Sequence, residues 1–178
     1  MDKITTISLT EALPYLNKDQ TDNLTLFINP SGQLETFFNY KGKLIELHKE
    51  KMKIDLGKNT IEEVGEGLRS LLILSLHYGY NIVLHLGGSE NFCIEELFSK
   101  FSWYKNDFFK NANFLKTDYL RKNKLIKEDE DKDFFGNQGC YEVKDTARIF
   151  VLTHVELVNI DTLLAKNSKV DFDCVYVN

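Results

Sequence analysis

Two stretches of the sequence place chemistry-bearing residues where an apolar run stops. Residues 24–33 run Leu-Thr-Leu-Phe-Ile and end at Asn29-Pro30-Ser31-Gly32-Gln33, and residues 81–89 run Asn-Ile-Val-Leu and end at His85-Leu86-Gly87-Gly88-Ser89. A glycine-bearing turn after a strand can wrap a phosphate if it reads G-x-x-x-x-G-K-[ST]: backbone N–H groups cradle the phosphates, the lysine reaches the terminal ones and the hydroxyl holds magnesium. The turn Asn29-Pro-Ser-Gly-Gln-Leu-Glu-Thr36 lacks the Gly-Lys-Ser/Thr ending. Pro30 has no N–H to offer, and Glu35 brings negative charge to where phosphate would sit. If a nucleotide bound there, Pro30, Ser31, Gly32 and Gln33 would lie against it. The metal-and-water end of such a site needs an acid at the end of the next core strand. That place holds His85, Leu86 and two glycines, and Glu90 comes too late. The expectation is no catalytic residue, no cofactor and no metal, with His85 read as a strand histidine packed or bonded in the interior.

Nucleophilic chemistry finds no better footing. Cys93, Cys140 and Cys174 are scattered, there is no C-x-x-C, and no histidine pair sits at metal-ligand spacing. Nothing in the sequence brings a cysteine to a histidine, so the cysteines read as buried free thiols in a reducing compartment. The carboxylate pairs Glu62-Glu63 and Glu95-Glu96 and the run 128–131 fall at helix starts or in a loop, where capping and solvation are sufficient roles.

A third group is aromatic. Phe101, Trp103, Tyr104, Phe108, Phe109, Phe114 and Tyr119 lie among lysines and asparagines. Such a segment could stack on single-stranded nucleic acid or anchor a protein interface, where Trp and Tyr are enriched. A net charge of −5 favours the protein partner, because general nucleic-acid binders are basic. Residues 99–133 are therefore expected to form an insertion or appendage facing a partner, with these seven rings as the partner-binding residues.

The elements that must position these groups follow from pattern. Residues 24–29 and 81–86 read as buried strands bounded by turn signals. Residues 33–40, with Leu34, Phe37 and Phe38 at helical spacing, read as a short helix; 43–48 alternate and read as a strand nearer an edge, and 49–59 as a polar linker. Thr60-Ile-Glu-Glu63 is a capping box. It opens a helix whose Ile61, Val64, Leu68, Leu71 and Leu72 share one face and which Gly79 ends. Gly65 and Gly67 each cost about 1 kcal/mol there relative to alanine, so burial or close approach of a neighbour must offset them. A short helix capped at Ser89 or Asn91 is expected to about Phe98, a hairpin arm at 134–143, a strand at 148–153, a helical turn at 160–165 and a last strand at 170–177. Residues 1–23, with Ile7, Leu9, Leu13 and Leu16 as their apolar set, read as an arm packing on a single domain spanning 24–178.

The 178 residues suit one domain with a real core. A hydrophobic share of 43% with 28% charged residues places the chain among globular proteins. Arginine occurs only at Arg69, Arg121 and Arg148, so most positive charge is lysine, the weaker clamp for phosphate. The beginning Met1-Asp-Lys-Ile-Thr-Thr lacks a signal-peptide layout. The longest apolar region, 68–86, is broken by His77, Gly79 and Asn81, too interrupted to span a membrane. The expectation is a cytoplasmic location.

With these residues in view, the sequence resembles the fifth AAA module of dynein heavy chains. Leu26-Phe-Ile-Asn-Pro-Ser-Gly-Gln33 followed by Phe37-Phe38 is similar to that module's first strand and its Ile-Asp-Pro-Gln-Gly-Gln type turn. Residues 43–47 resemble its second strand, 68–86 its helix-then-strand segment, and Arg148-Ile-Phe-Val-Leu-Thr153 with 160–177 its last two strands. The likeness covers most of 24–98 and 146–178 and does not extend to 99–133. Asn29 stands where the family has an acid in the turn, and the acid after the third strand is missing. The resemblance implies an α/β, three-layer, P-loop NTPase-like fold of AAA type, with a mainly parallel sheet, a degenerate nucleotide site and an aromatic-rich insertion. It also implies a ciliary axoneme or another microtubule-based assembly as the setting. The function expected is that of a non-enzymatic structural component acting on other proteins of a multi-subunit assembly, not on membrane or nucleic acid. The alternative is a nucleotide-binding sensor or NTPase with an atypical phosphate loop.

Overall fold

The structure is a computed structural model that describes residues 4–17 and 21–178; the first three residues of the leading arm, residues 18–20 and the side chain of Leu13 lie outside the described set. Six strands form one sheet: β1 (Thr5–Ile7), β2 (Leu24–Ile28), β3 (Lys43–Glu46), β4 (Asn81–His85), β5 (Arg148–Thr153) and β6 (Phe172–Val177). Their order is β1-β6-β2-β5-β4-β3, and every pairing is parallel. The helices are α1 (Leu9–Leu16), α2 (Gln33–Lys41), α3 (Leu47–Asp55), α4 (Ile61–Tyr78), α5 (Ile94–Phe98), α6 (Thr117–Lys122) and α7 (Ile160–Lys166).

Alternation along the strands divides the core into two layers. Phe27, Val83, Phe150, Leu152 and Val175 face α1 and α2, packing with Ala12, Leu16, Leu34 and Phe38. Leu24, Leu26, Ile28, Ile82, Leu84, Ile149 and Val151 face the other side, against α4, α5, α7 and much of 101–126. The two connections that run from β1 toward β3 use the first face, and the three that run back use the second. That exchange of face with direction is the condition for all crossovers to share one hand. The molecule is thus an α/β domain with an all-parallel sheet covered on both faces, compatible with a Rossmann- or P-loop-like three-layer fold. Among the described residues no helix is long and apolar enough to cross a membrane.

Local chemistry explains most elements. In α4 the Thr60 hydroxyl accepts from the Glu63 N–H at 3.1 Å and the Glu63 carboxylate accepts from the Thr60 N–H at 2.9 Å. Gly79 closes the helix in the left-handed conformation, φ +73°. The stretch 49–59, expected as a linker, is mostly helix α3. Buried Leu47 anchors it, and the pairs Lys51–Asp55 and Glu50–Lys53, each 2.6 Å, lie at helical spacing on its exposed face. The short helix α5 starts later than expected, with Cys93 as its cap. In 134–143 the hairpin is absent among the described residues; an isolated bridge, Lys132 to Gln138, marks the place.

The largest correction concerns 99–133. Phe101, Trp103, Tyr104, Phe108, Phe109 and Phe114 are buried within the core over α4 and α5, and Tyr119 is half-buried against it. Seven rings at this density carry too much apolar area to leave in water. The segment completes the layer instead of standing off it, and its rings are not available as a partner-binding surface. Trp103 donates its indole N–H to the Gly65 carbonyl at 2.7 Å, and the Tyr119 hydroxyl donates to Asp107 at 2.6 Å. Across the same layer, buried Arg69 of α4 holds the loop that follows: it donates to Glu66, to Glu130 and to the Leu125 carbonyl.

The two glycines of α4 separate cleanly. A Cβ at Gly65 would stand 2.7 Å from the Phe101 ring, whereas one at Gly67 would meet nothing within 4 Å. Gly65→Ala is therefore expected to lower stability by about 1–3 kcal/mol through overpacking. Gly67→Ala should raise it by about 0.5–1 kcal/mol through helix propensity. Urea unfolding of both variants checks this; equal effects would contradict the close approach of Phe101.

Candidate functional site

In an open parallel sheet, ligands bind beyond the carboxyl ends of the strands, where neighbouring connections leave for opposite faces. Here that place lies between β2, which leaves through α2 on one face, and β5, which leaves through α7 on the other. The turn after β2, the residues after β4 and those after β5 meet there.

The turn after β2 is closed on itself. Asn29 is fully buried; its side-chain carbonyl accepts from the Leu34 N–H at 2.9 Å, and its amide donates to Ser31 Oγ and to the Val177 carbonyl, each at 3.0 Å. The Gly32 N–H donates to the Asn29 carbonyl at 3.1 Å, and the Glu35 N–H to the Gly32 carbonyl at 3.2 Å. With Pro30 lacking a donor, four of the six positions 30–35 have no backbone N–H to turn toward a phosphate. Gly32 takes φ +74°, and the His154 ring lies 3.8 Å from where its Cβ would be. A tight turn with a histidine against it stands in place of a wide anion cradle.

Neighbouring backbone bonds fix the other two ends. The His154 N–H and the Thr153 hydroxyl both donate to the Gly87 carbonyl, at 2.9 and 3.0 Å, and the Asn29 N–H donates to the Thr153 carbonyl at 2.9 Å. Gly87 at φ +79° lets His48 approach: a Cβ would sit 2.9 Å from that ring.

These locks set three imidazoles in a row. His48, in the first turn of α3, packs edge-on to His85 at 4.9 Å between centroids, and His85 lies 4.4 Å from His154. Glu46 stands beside the first and Glu35 beside the last. His85 is 2% exposed, and among the described residues neither of its ring nitrogens has a hydrogen-bond partner; nor does His154 Nε2, also buried. Glu35 Oε2 is 3.5 Å from His154 Nε2, a close approach without hydrogen-bond geometry. The His48 ring approaches the His85 carbonyl at 3.4 Å. Burial first, then the imidazoles of His154 and His48, push His85 down to about 4, so it stays neutral with a free lone pair. Two sets of three donors fall within 4.8 Å of one another: Glu35, His85 and His154; and Glu46, His48 and His85.

The residues singled out from sequence are thus divided. Ser31 and Gly32 belong to this end of the sheet, but the turn's bonds run inward. His85 is interior as expected, though packed against two other histidines and without the hydrogen bond an interior histidine usually finds. Cys93 caps α5, accepting from the Glu96 N–H at 3.4 Å, Cys140 is exposed, Cys174 is buried, and among the described residues none belongs to the donor sets. His48, His154, Glu35 and Glu46 were not singled out as a group. Their signal was present: three of the four histidines stand at or just beyond the end of a strand-like run, at 48, 85 and 154. In a parallel sheet those ends are neighbours.

The fold and this end of the sheet define a helix-covered parallel α/β domain with a cluster of three histidines around buried His85 at the carboxyl ends of its strands. Comparison with protein-family models, curated proteins and solved structures gave no match.

Proposed function

We propose that this chain is a non-catalytic, P-loop-like α/β module that acts through contact with other proteins of a multi-subunit assembly, in the axonemal or microtubule-based setting that its resemblance implies. The observation that carries the reading is the closed turn after β2: Asn29 and Gly32 consume the N–H groups of Leu34, Gly32 and Glu35, and His154 and Glu35 fill the adjoining space. A triphosphate would have to break those bonds and sit beside a carboxylate.

With the rings of 101–119 inside the core, this reading assigns contact to a different surface. Tyr78 packs on Tyr80 at 5.8 Å and on Phe134 at 5.3 Å, all three about half exposed, and Phe135, next in sequence, is 91% exposed. Lys43 lies over Tyr80 and Lys144 over Phe134, at 5.4 and 4.9 Å from the ring centres. Aromatic anchors rimmed by lysines fit an apolar protein surface edged by carboxylates.

The test has two arms. Calorimetric titration with ATP, ADP and GTP plus magnesium should show no binding; a Kd below about 10 μM, roughly −7 kcal/mol, would bring the nucleotide sensor forward instead. Crosslinking in ciliary extracts should give axonemal partners with the intact chain and lose them with Tyr78→Ser/Phe134→Ser. Equal capture by both would remove this face from the account.

A further inference from the structure

Buried polar atoms are nearly always partnered, yet among the described residues neither ring nitrogen of His85 nor Nε2 of His154 finds a hydrogen bond, and the Glu35 carboxylate lies 3.5 Å from that His154 nitrogen. We propose that Glu35, His85 and His154 form a binding site for a single divalent transition-metal ion of the zinc type. Two neutral imidazoles and one carboxylate are a donor set that zinc accepts, with a fourth position left for water. The three ligand atoms already lie within 4.8 Å of one another. Bonds of 2.0–2.1 Å in tetrahedral array require about 3.3 Å between ligand atoms, and the Glu35–His154 separation of 3.5 Å is near that.

The positions suit a site built by the fold. His85 ends β4, His154 follows β5, and Glu35 lies in the first turn of α2, so three separate elements converge on the ion. His85 is enclosed, whereas Glu35 and His154 are partly open to solvent, at 33% and 22% for their side chains, which gives the ion a way in. The competing set, Glu46 with His48 and His85, is weaker because the Glu46 carboxylate is already held by Lys49 at 2.5 Å. His48 serves instead to hold the His85 ring from behind, edge-on at 4.9 Å. The proposal is independent of the protein-contact role: it stands or fails on these side chains alone.

The experiment uses the full chain without a histidine tag, stripped with chelator and titrated with Zn²⁺ by calorimetry and with Co²⁺ by visible absorption. One ion per chain is expected, with Co²⁺ giving the visible bands of a four-coordinate nitrogen–oxygen site. Glu35→Gln and His154→Gln should each weaken binding by at least about 10-fold, while Glu46→Gln leaves it unchanged. Both ligand substitutions are at partly exposed positions, and circular dichroism verifies that each variant is folded. Absence of saturable one-to-one binding would overturn the proposal. So would affinity unaffected by Glu35→Gln and His154→Gln, or lost with Glu46→Gln.

Discussion

Replacing Phe108 by alanine is expected to lower the unfolding free energy by about 3–5 kcal/mol. Phe108 is 1% exposed, with ring centroids of Phe109, Trp103, Phe114 and Tyr104 at 5.0, 5.7, 6.1 and 6.2 Å. Its removal leaves a hole bounded by other rings, each pinned in turn. Trp103 is tied to the Gly65 carbonyl, and Phe109 packs on Phe98 at 5.3 Å. Rings so fixed cannot collapse into the space, and the full cavity cost remains. Phe135→Ser supplies the contrast: that ring is almost wholly in water, and the change should stay within about 0.5 kcal/mol. Urea unfolding of the isolated chain measures both. A near-zero effect at Phe108 would return the segment to the surface.

Arg69→Ala is expected to cost about 3 kcal/mol. The arginine is 3% exposed and faces both Glu66 and Glu130 from beneath, at 2.7 and 2.6 Å; Lys127 reaches Glu66 from the solvent side at 2.5 Å. Its loss strands the partly buried Glu130 carboxylate and the Leu125 carbonyl. Glu66 is 48% exposed, so its share is screened by water and small. The pH dependence has a definite sign. Hydrogen bonds from Arg69, then Lys127, hold Glu66 down at about 2; burial would raise Glu130, but its bonds to Arg69 and the Lys127 N–H outweigh that and lower it. A carboxyl depressed in the folded state contributes stability above its unfolded value near 4.5 and loses it as pH falls toward about 2. The difference between wild type and Arg69→Ala should therefore be largest above pH about 5 and close on acidification. Arg69→Met/Glu130→Met should recover much of the loss, since an apolar pair leaves no stranded charge. Thermal denaturation across that pH range tests it; a difference independent of pH would show that packing alone is lost.

What was legible in the sequence was what local pattern dictates. The capping box at Thr60, the stop at Gly79 and the apolar runs at 24, 81, 148 and 170 all specify elements without help from distant residues. Strand neighbours, by contrast, depend on where crossovers land. His85 and His154 are 69 positions apart and become adjacent only because β4 and β5 pair in parallel, ending level at His85 and Leu152. The aromatic segment misled for a physical reason. Its rings are interleaved with lysines and asparagines at no fixed period. A run that packs through short turns shows neither the helical nor the strand repeat from which burial is inferred. Arg69 was hidden similarly: its partner Glu130 lies in a charge run that reads as solvated loop.

The place of β6 between β1 and β2 has a consequence for synthesis. Among the described residues β1 pairs with β6 alone, and one edge of β2 waits for the same strand. As the polypeptide leaves the ribosome, β1 therefore waits for its described sheet neighbour until residues 172–177 have emerged, and nascent chains stalled before that point would expose an open β-edge to whatever else is in the cell.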